Sequence, residues 1–225
     1  MTNREPTATT NLDQTSETEP LPWKRARDLL DAGALAEAAS FIGTVRPDGR
    51  PHSARIGAAW YDGNVYFQTG QQTRKARNLE VKPACTLSTS LTGIDLVFEG
   101  LAERITDGPT LEAVAAVWRE GGWAAEVSRD GIVAPYHAPG TGPPPWRVYR
   151  VAAHTVFGVA TAAAYGATRW PFCATDRYPR NQRSQETPEM SEQSSSPRPA
   201  PRRRSGRRIE TWCSGTSPTP TGAGG

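Results

Sequence analysis

The chain has 225 residues and a formal net charge of +3 at pH 7, a length that allows one domain with tails. That charge is uneven, because the 53 residues from Cys173 onward hold nine arginines and five acids, whereas the preceding residues hold 17 basic and 18 acidic side chains. The near-neutral charge of residues 1–172 argues against a nucleic-acid partner. The sequence has neither the apolar core of a signal peptide nor an apolar run of roughly 20 residues, which predicts a cytoplasmic protein with no membrane partner.

The first segment that predicts structure begins at Pro22. Residues 1–20 are rich in Thr, Glu, Asn and Pro and contain a single Leu, so they predict a disordered N-terminal tail. From Pro22 to Ala39 apolar residues recur at roughly helical spacing, and Gly33 is expected to divide this stretch into two short helices.

Strand-like runs then alternate with turns and two short helices. Asp48-Gly49 and Asp62-Gly63 lie between such runs and are typical of hairpin turns, because Gly accepts positive φ without steric cost. The predicted strands are 40–46, 52–60, 65–69, 84–90, 94–105, 146–152 and 154–160, and the predicted helices are 74–82 and 110–120. This order favours a mainly β fold, a small antiparallel barrel of six or seven strands with short flanking helices.

A long connection rich in Gly and Pro, residues 121–145, separates the last helix from the last strands. Loops of this length inside a compact domain are usually functional or mobile. The folded part is expected to be one domain, residues 21–172.

The composition shifts at Cys173 to Arg, Ser, Pro, Thr and Gln without apolar periodicity, which predicts a disordered tail over residues 173–225. Two alternatives stay open for this tail. One is a reading-frame slip near residues 171–173, and the other is a nucleic-acid contact through Arg202–Arg204 and Arg207–Arg208.

The Thr73-Arg74-Lys75 run, just after the third predicted strand, is a candidate anion site. A hydroxyl, two cations and the N–H groups of a helix start can hold a phosphate by charge-assisted hydrogen bonds. The competing interpretation is a capped helix start with exposed basic residues. These three residues alone favour that interpretation, and the surrounding pattern reverses the preference.

The order of motifs around this run resembles the flavin-binding split barrel of the pyridoxamine 5′-phosphate oxidase superfamily. The matching features are TVRPDGRPH at 44–52, Trp60, the Asp62-Gly63 turn, YFQTG at 66–70, the Thr73-Arg74-Lys75 run, Asn78-Leu79, Pro83 and FEG at 98–100. The segment 167–170 is similar to the closing segment of many actinobacterial members. The resemblance covers roughly residues 23–172.

The resemblance implies a homodimer that binds FMN, or a deazaflavin of the coenzyme F-420 type, in grooves between its subunits. It implies a phosphate on Thr73, Arg74 and Lys75. The cofactor ring would lie along the second and third strands, at Arg55, Ile56, Gly57, Ala58, Gln68 and Thr69. Small residues such as Gly57 and Ala58 would let a flat ring approach the backbone, or else serve close strand packing.

The closing segment supplies two further candidates, Arg169 and Trp170, which would close over the partner subunit's cofactor. The alternative for both is a C-terminal edge that packs on the barrel. Trp60 stands where authentic pyridoxamine phosphate oxidases carry a lysine for the substrate phosphate, which puts vitamin B6 oxidation in doubt.

Two functions follow from the resemblance. The first is an FMN- or deazaflavin-dependent oxidoreductase acting on a small organic substrate, and the second is a non-catalytic module that binds flavin or haem. Hydride transfer at the cofactor needs no protein nucleophile. The sequence accordingly names no catalytic residue, and the scattered His52, His137 and His154 predict no metal site.

Overall fold

The computed structural model describes residues 4–13, 18–137 and 139–173, which form eleven strands and three helices. In chain order the elements are β1 (Thr10–Asn11), α1 (Trp23–Asp31), β2 (Ser40–Val45), β3 (Pro51–Ile56), β4 (Ala58–Tyr61), β5 (Asn64–Gly70), α2 (Arg74–Val81), β6 (Ala84–Leu91), β7 (Ile94–Ile105), α3 (Gly108–Glu120), β8 (Glu126–Ser128), β9 (Gly131–Val133), β10 (Trp146–Ala160) and β11 (Ala167–Pro171). Apart from Cys173, the predicted C-terminal tail lies outside the described residues, as do the arginine runs proposed to contact nucleic acid.

Every strand pairing is antiparallel, which confirms the predicted mainly β fold with short helices. The main path through the sheet runs β1-β11-β10-β7-β6-β2-β3. The β4–β5 hairpin joins it because β5 pairs with the first half of β10, and the β8–β9 hairpin joins through β9. The 15-residue β10 is therefore the strand that connects the two parts of the barrel.

The strand count differs from the predicted six or seven because β1 and β11 were not predicted and because of three changes between them. The predicted strand 52–60 divides at Gly57 into β3, which pairs with β2, and β4, which pairs with β5. The two predicted strands 146–152 and 154–160 are a single strand with a register shift between Ala153 and Thr155. The long connection 121–145 also contains the short β8–β9 hairpin.

The barrel core follows from alternation along the strands. In β7 residues alternate strictly between buried and less buried positions over most of its length, as expected for a strand with one face on the core. Ile42, Leu87, Leu96 and Phe98 are at most 2% exposed and belong to this core. A second, smaller cluster forms where α3 packs on β4, β9 and β10, and it includes Leu111, Val114, Trp118, Ile132 and Val148.

The expectation of a disordered N-terminal tail is wrong for residues 4–13. Thr10–Asn11 pairs with β11, and the N–H of Thr7 donates to the carbonyl of Pro171 at 2.8 Å. The Arg4 guanidinium donates to the Ala153 carbonyl at 2.6 Å and lies over the Phe172 ring. The physical reason is that an edge strand offers unpaired backbone groups, so a polar segment can pair with it without burying apolar side chains of its own.

The helices depart from prediction only at α1. The stretch after Asp31 forms turns around Gly33, which has φ +82°, rather than a second helix. The longest described helix, α3, has 13 residues, so none of the described helices reaches the length needed to cross a bilayer.

Candidate functional site

Six of the predicted cofactor-binding residues line one cavity of about 600 Å³. They are Arg55, Ile56, Gly57, Ala58, Gln68 and Lys75. The strands β3, β4 and β5 supply four of them, Gly57 lies between β3 and β4, and α2 supplies Lys75. These predicted residues therefore form one side of a cavity, and the volume of the cavity suits a cofactor or a drug-sized ligand.

The floor of this cavity is the junction of β3 and β4. Ile56 and Ala58 point into the protein, whereas Arg55 and Gly57 are exposed, as alternation along an extended chain requires. A Cβ atom added at Gly57 would meet no heavy atom within 4 Å, so the space above this backbone is open. A flat ligand can therefore lie directly against the main chain.

Gln68 contributes a polar atom that has no partner within the described residues. Its Oε1 is buried and accepts no hydrogen bond from them, although it lies in the cavity wall. Buried amide oxygens nearly always accept a hydrogen bond. The position therefore calls for a ligand N–H or a water at this point.

Lys75 contributes a buried charge that, like the Gln68 oxygen, lies in the cavity wall without a partner among the described residues. Its side chain is only 6% exposed, and no carboxylate among the residues described here pairs with it. Burial lowers the pKa of its ammonium. A buried cation without a counter-charge is costly, so this arrangement favours an anionic ligand.

Thr73 follows the competing interpretation, that of a helix cap. Its Oγ1 accepts from the N–H of Ala76 at 3.3 Å and donates to the carbonyl of Gly70 at 2.8 Å. Its other neighbour is the Oγ1 of Thr69, 2.9 Å away, and Thr69 is fully buried. Neither threonine lines the cavity, so both shape the start of α2 rather than its open side.

Positive groups converge beside this helix start. Arg74 is exposed, and His52 on β3 has its pKa lowered first by burial and then by the charges of Arg46, Lys75 and Arg74. The buried Nε of Arg46 has no hydrogen-bond partner among the described residues. Sequence reasoning chose Arg74 and Lys75 but missed Arg46 and His52, because only the pairing of β2 with β3 brings these two toward α2.

This cluster predicts a pH dependence of stability. The folded-state pKa of His52 lies below its ordinary value of 6.5, so as the pH falls through that value the unfolded chain takes up the proton first and the folded state loses stability. The ligand-free protein should therefore melt at a lower temperature at about pH 5.5 than at about pH 7.5, and His52→Gln should reduce that difference. Thermal melts of both proteins across this range test the prediction, and identical pH profiles would contradict it.

Another part of the cavity wall is largely aromatic and was not predicted. It is formed by Trp118 of α3 and by Trp123, Tyr136 and Thr141 of the long connection. The Nε1 of Trp123 donates to the carbonyl of Tyr136 at 2.8 Å, and the Tyr136 hydroxyl donates to the carbonyl of Gly122 at 2.6 Å. The available signal was the functional character expected of such a long loop, which does not by itself name the residues.

Trp170 is in the wrong place for the cofactor role that was predicted for it. Its ring is fully buried, packs edge-on against Trp23 with centroids 5.4 Å apart, and donates from Nε1 to the carbonyl of Leu21 at 3.1 Å. This placement contradicts stacking on a cofactor and agrees with the alternative of packing on the barrel.

Arg169 does not reach the cavity of its own chain. Along β10, Val148 pairs with Gln68 whereas Phe157 pairs with Arg169, so the two sites are about 30 Å apart along the strand. Arg169 is exposed, and its contact with a partner subunit stays a prediction.

Two other residues of chemical interest have structural roles. The Nε1 of Trp60 donates to Asp31 at 2.7 Å and its ring packs on Phe98, so Trp60 belongs to the barrel. Burial raises the pKa of the Cys85 thiol to about 12, which leaves it protonated and unreactive at neutral pH. Within the described part of the chain, no three His, Cys, Asp or Glu side chains lie together as a metal site would require.

Comparison with known proteins agrees with this geometry. A family model described as pyridoxamine 5′-phosphate oxidase matches residues 26–160, more than half of the chain. The search of curated proteins found no match.

Several solved structures are similar in fold. A pyridoxamine 5′-phosphate oxidase-related, FMN-binding protein from Nostoc punctiforme is 18% identical over 68% of this chain and 90% of its own, with a TM-score of 0.44. A haem-binding protein from Mycobacterium smegmatis is 16% identical over 67% of this chain and 58% of its own, with a TM-score of 0.49. General Stress Protein 26 from Bacillus anthracis is 17% identical over 60% of this chain and 93% of its own, with a TM-score of 0.42.

At these identities and scores the solved structures carry no argument about ligand or activity, whereas the family model covers most of the barrel. The chain therefore belongs to the pyridoxamine 5′-phosphate oxidase-like family of FMN-binding split barrels.

Proposed function

We propose that this protein binds FMN in the cavity between β3, β5 and α3 and acts as an oxidoreductase on a small organic substrate. The observation that carries the proposal is the buried, unpaired Lys75 in the same cavity as the unpaired Oε1 of Gln68 and the open floor at Gly57. An anion, a ring N–H and a flat surface are what these three features respectively accommodate, and FMN has all three. A deazaflavin of the F-420 type offers the same three groups and is the alternative cofactor.

The residues of the chain would bind and orient the cofactor rather than react with it. FMN, when bound, supplies the hydride or electron-pair chemistry. Lys75 and Arg74 would hold its phosphate, Gln68 would accept from its ring N–H, and Arg55 would donate to the electron-rich edge of the ring. The aromatic wall would keep water from the opposite face.

Vitamin B6 oxidation is not part of the proposal. Trp60 occupies the position of the expected substrate-phosphate lysine, and it is committed to Asp31 and the barrel. On the far wall, the lining residues Trp118, Trp123, Tyr136 and Thr141 carry no cation for a substrate phosphate.

The second candidate is a module that binds its cofactor without turnover. It is favoured by the lining of the cavity, which contains no histidine and no acid except Glu37 among the described residues. Within this second candidate a flavin suits the cavity better than haem. Among the residues that the structure describes, the lining has no His, Cys or Met to bind iron, and the hydroxyl of Tyr136 is already bonded to Gly122.

We also propose the homodimer that the resemblance implies. Phe41 on β2 and Val159 on β10, which are 43% and 49% exposed, are apolar side chains that a partner subunit would cover. Analytical ultracentrifugation at micromolar concentration tests this, and a monomer in the presence of saturating FMN would contradict it.

The test of cofactor binding is an FMN titration of the purified protein, followed by flavin fluorescence and melting temperature. Wild type should bind FMN and melt at a higher temperature when loaded. Gly57→Leu should fold, because this position has open space and no positive φ, but should lose at least about tenfold in affinity, because the side chain occupies the floor.

Gly108→Leu is the matched control. It also places a leucine where no heavy atom lies within 4 Å, but at the start of α3 and outside the cavity lining, so it should bind FMN as wild type does. The proposal fails if wild type binds neither FMN nor a deazaflavin, or if Gly57→Leu binds as well as Gly108→Leu. Turnover of a panel of quinones and enones then separates the enzyme from the non-catalytic module.

A further inference from the structure

The cavity has an aromatic wall, formed by Trp118, Trp123 and Tyr136. All three residues line the same cavity as the β3–β4 floor. A ligand held between these two surfaces has one of its faces against aromatic rings. The nature of that wall therefore says what kind of molecule can occupy the space next to the cofactor.

Trp123 and Tyr136 already use their side-chain polar atoms within the protein. Trp123 donates its Nε1 hydrogen to the carbonyl of Tyr136, and Tyr136 donates its hydroxyl hydrogen to the carbonyl of Gly122. These two bonds tie residues 122–136 together from both ends. The side chains are left with ring faces and edges to offer, and rings of this kind favour stacking and edge-to-face contacts with other flat rings.

The wall is also held in place before any ligand arrives. Trp123 packs edge-on against Trp118 and tilted against Trp146, with centroids 5.6 Å apart in both pairs. Trp146 is fully buried and donates from Nε1 to the carbonyl of Gly142 at 2.8 Å. A preorganised surface loses little conformational entropy on binding, which suits a rigid ligand.

Charge limits the ligand further. The cations of the cavity, Arg55 and Lys75, lie on the strand and α2 side, and the acid, Glu37, lies in the segment after α1. The proposed function assigns Lys75 to the cofactor phosphate. A second phosphate on the aromatic side would be desolvated without a cation beside it, which is unfavourable.

We infer that the substrate is a planar, uncharged, conjugated ring compound, such as a quinone, that stacks on the wall formed by Trp118, Trp123 and Tyr136. This inference rests on the proposed function for its neighbour, the flavin ring on the opposite side. The inference excludes phosphorylated rings of the vitamin B6 type for two reasons. Their phosphate would have no cation beside the aromatic wall, and Trp60 stands in place of the lysine expected to bind that phosphate.

The test uses the FMN-loaded full chain with two probes, menadione as the neutral ring and pyridoxine 5′-phosphate as the phosphorylated one. Binding is measured by isothermal titration calorimetry and by quenching of tryptophan fluorescence, without any turnover. Menadione should bind at least about tenfold more tightly than pyridoxine 5′-phosphate, because both probes can stack but the phosphate would be desolvated without a cation beside it. Equal binding of the two probes, or tighter binding of the phosphate, would overturn the inference.

Variants locate the contact. Trp123→Leu should weaken menadione binding about tenfold, and Trp123→Phe should recover most of it, because phenylalanine restores a ring without the indole N–H. Tyr165→Leu is the matched control, since Tyr165 is 65% exposed and does not line the cavity. Loss of menadione binding in the control, or none in Trp123→Leu, would place the ligand elsewhere.

The proposed function and this inference fail in different ways. If the protein binds FMN but not menadione, the substrate class is wrong and the flavin site stands. If it binds no flavin, the proposed function fails. The probes are then titrated into the unloaded chain, where menadione binding that depends on Trp123 supports the inference and its absence overturns it.

Discussion

Replacing Lys75 with methionine is expected to weaken FMN binding by about 1.5–3 kcal/mol, or roughly 10- to 150-fold, which is the range for loss of a charge-assisted contact. The reason is that Lys75 is the buried cation of the cavity and has no carboxylate partner within the described residues. Methionine has a similar length and no charge, so it removes the ammonium while keeping most of the packing. Equilibrium dialysis or flavin fluorescence measures the change.

The same substitution should not destabilise the ligand-free protein, and is expected to stabilise it by about 1 kcal/mol, because it removes a desolvated charge. The pKa of Lys75 is lowered by burial from its ordinary 10.5, so the unfolded chain takes up this proton first as the pH falls through that value. Wild type therefore loses stability from Lys75 between alkaline and neutral pH, and Lys75→Met should lack this loss. Denaturant melts across this range test the sign.

Arg77→Met is the matched control for Lys75→Met. Arg77 is a cation on the same helix, α2, but it is exposed and does not line the cavity. It should change neither FMN affinity nor the stability of the ligand-free protein by more than about 0.5 kcal/mol. If the two variants behave alike, Lys75 has no special place in anion binding.

Replacing Trp170 with alanine is expected to lower the free energy of unfolding by about 3–5 kcal/mol, the usual cost of removing a large buried aromatic side chain. Trp170 is fully buried, packs against Trp23 and donates to the carbonyl of Leu21, so its loss leaves a cavity and a carbonyl without its partner. Chemical denaturation followed by circular dichroism measures the effect. Trp170→Phe, which keeps a ring, should cost less.

Arg169→Ala is the control, because Arg169 is the exposed neighbour on the same strand. It should change stability by no more than about 0.5 kcal/mol. Below its melting temperature, Trp170→Phe should bind FMN as wild type does, since the ring lies in the core rather than beside the cavity. A Trp170→Phe protein of unchanged stability but weakened FMN binding would reverse this assignment.

Local patterns predicted most of the barrel. The Asp-Gly turns at 48–49 and 62–63, the alternation in β6 and β7, and the capped start of α2 at Thr73 all appear in the structure at the expected places. These features depend on neighbours within a few residues, because turn geometry and strand alternation are local properties. The side of the cavity formed by Arg55–Ala58, Gln68 and Lys75 was predicted from the family resemblance that these motifs carry.

Pairings between distant segments could not be read in this way. The strand at Thr10–Asn11 forms only because β11 is an edge, and the composition of residues 1–20 carries no sign of that edge. Likewise, β10 continues as one strand through Ala153 because β7 pairs with it on both sides of that residue. The break that the sequence suggests appears only as a register shift between Ala153 and Thr155.

The cavity shows the same difference between what local motifs indicate and what the packing of distant segments decides. The order of turns, short strands and the Thr73-Arg74-Lys75 run was enough to indicate the family and the strand side of the cavity, since each motif acts through its own backbone. Whether a side chain faces the cavity or the core depended on how separate segments pack. Packing put Lys75 into the cavity, Thr73 into a helix cap and Trp170 into the core. It also brought Trp118, Trp123 and Tyr136 into the lining of the cavity that Gly57 lines.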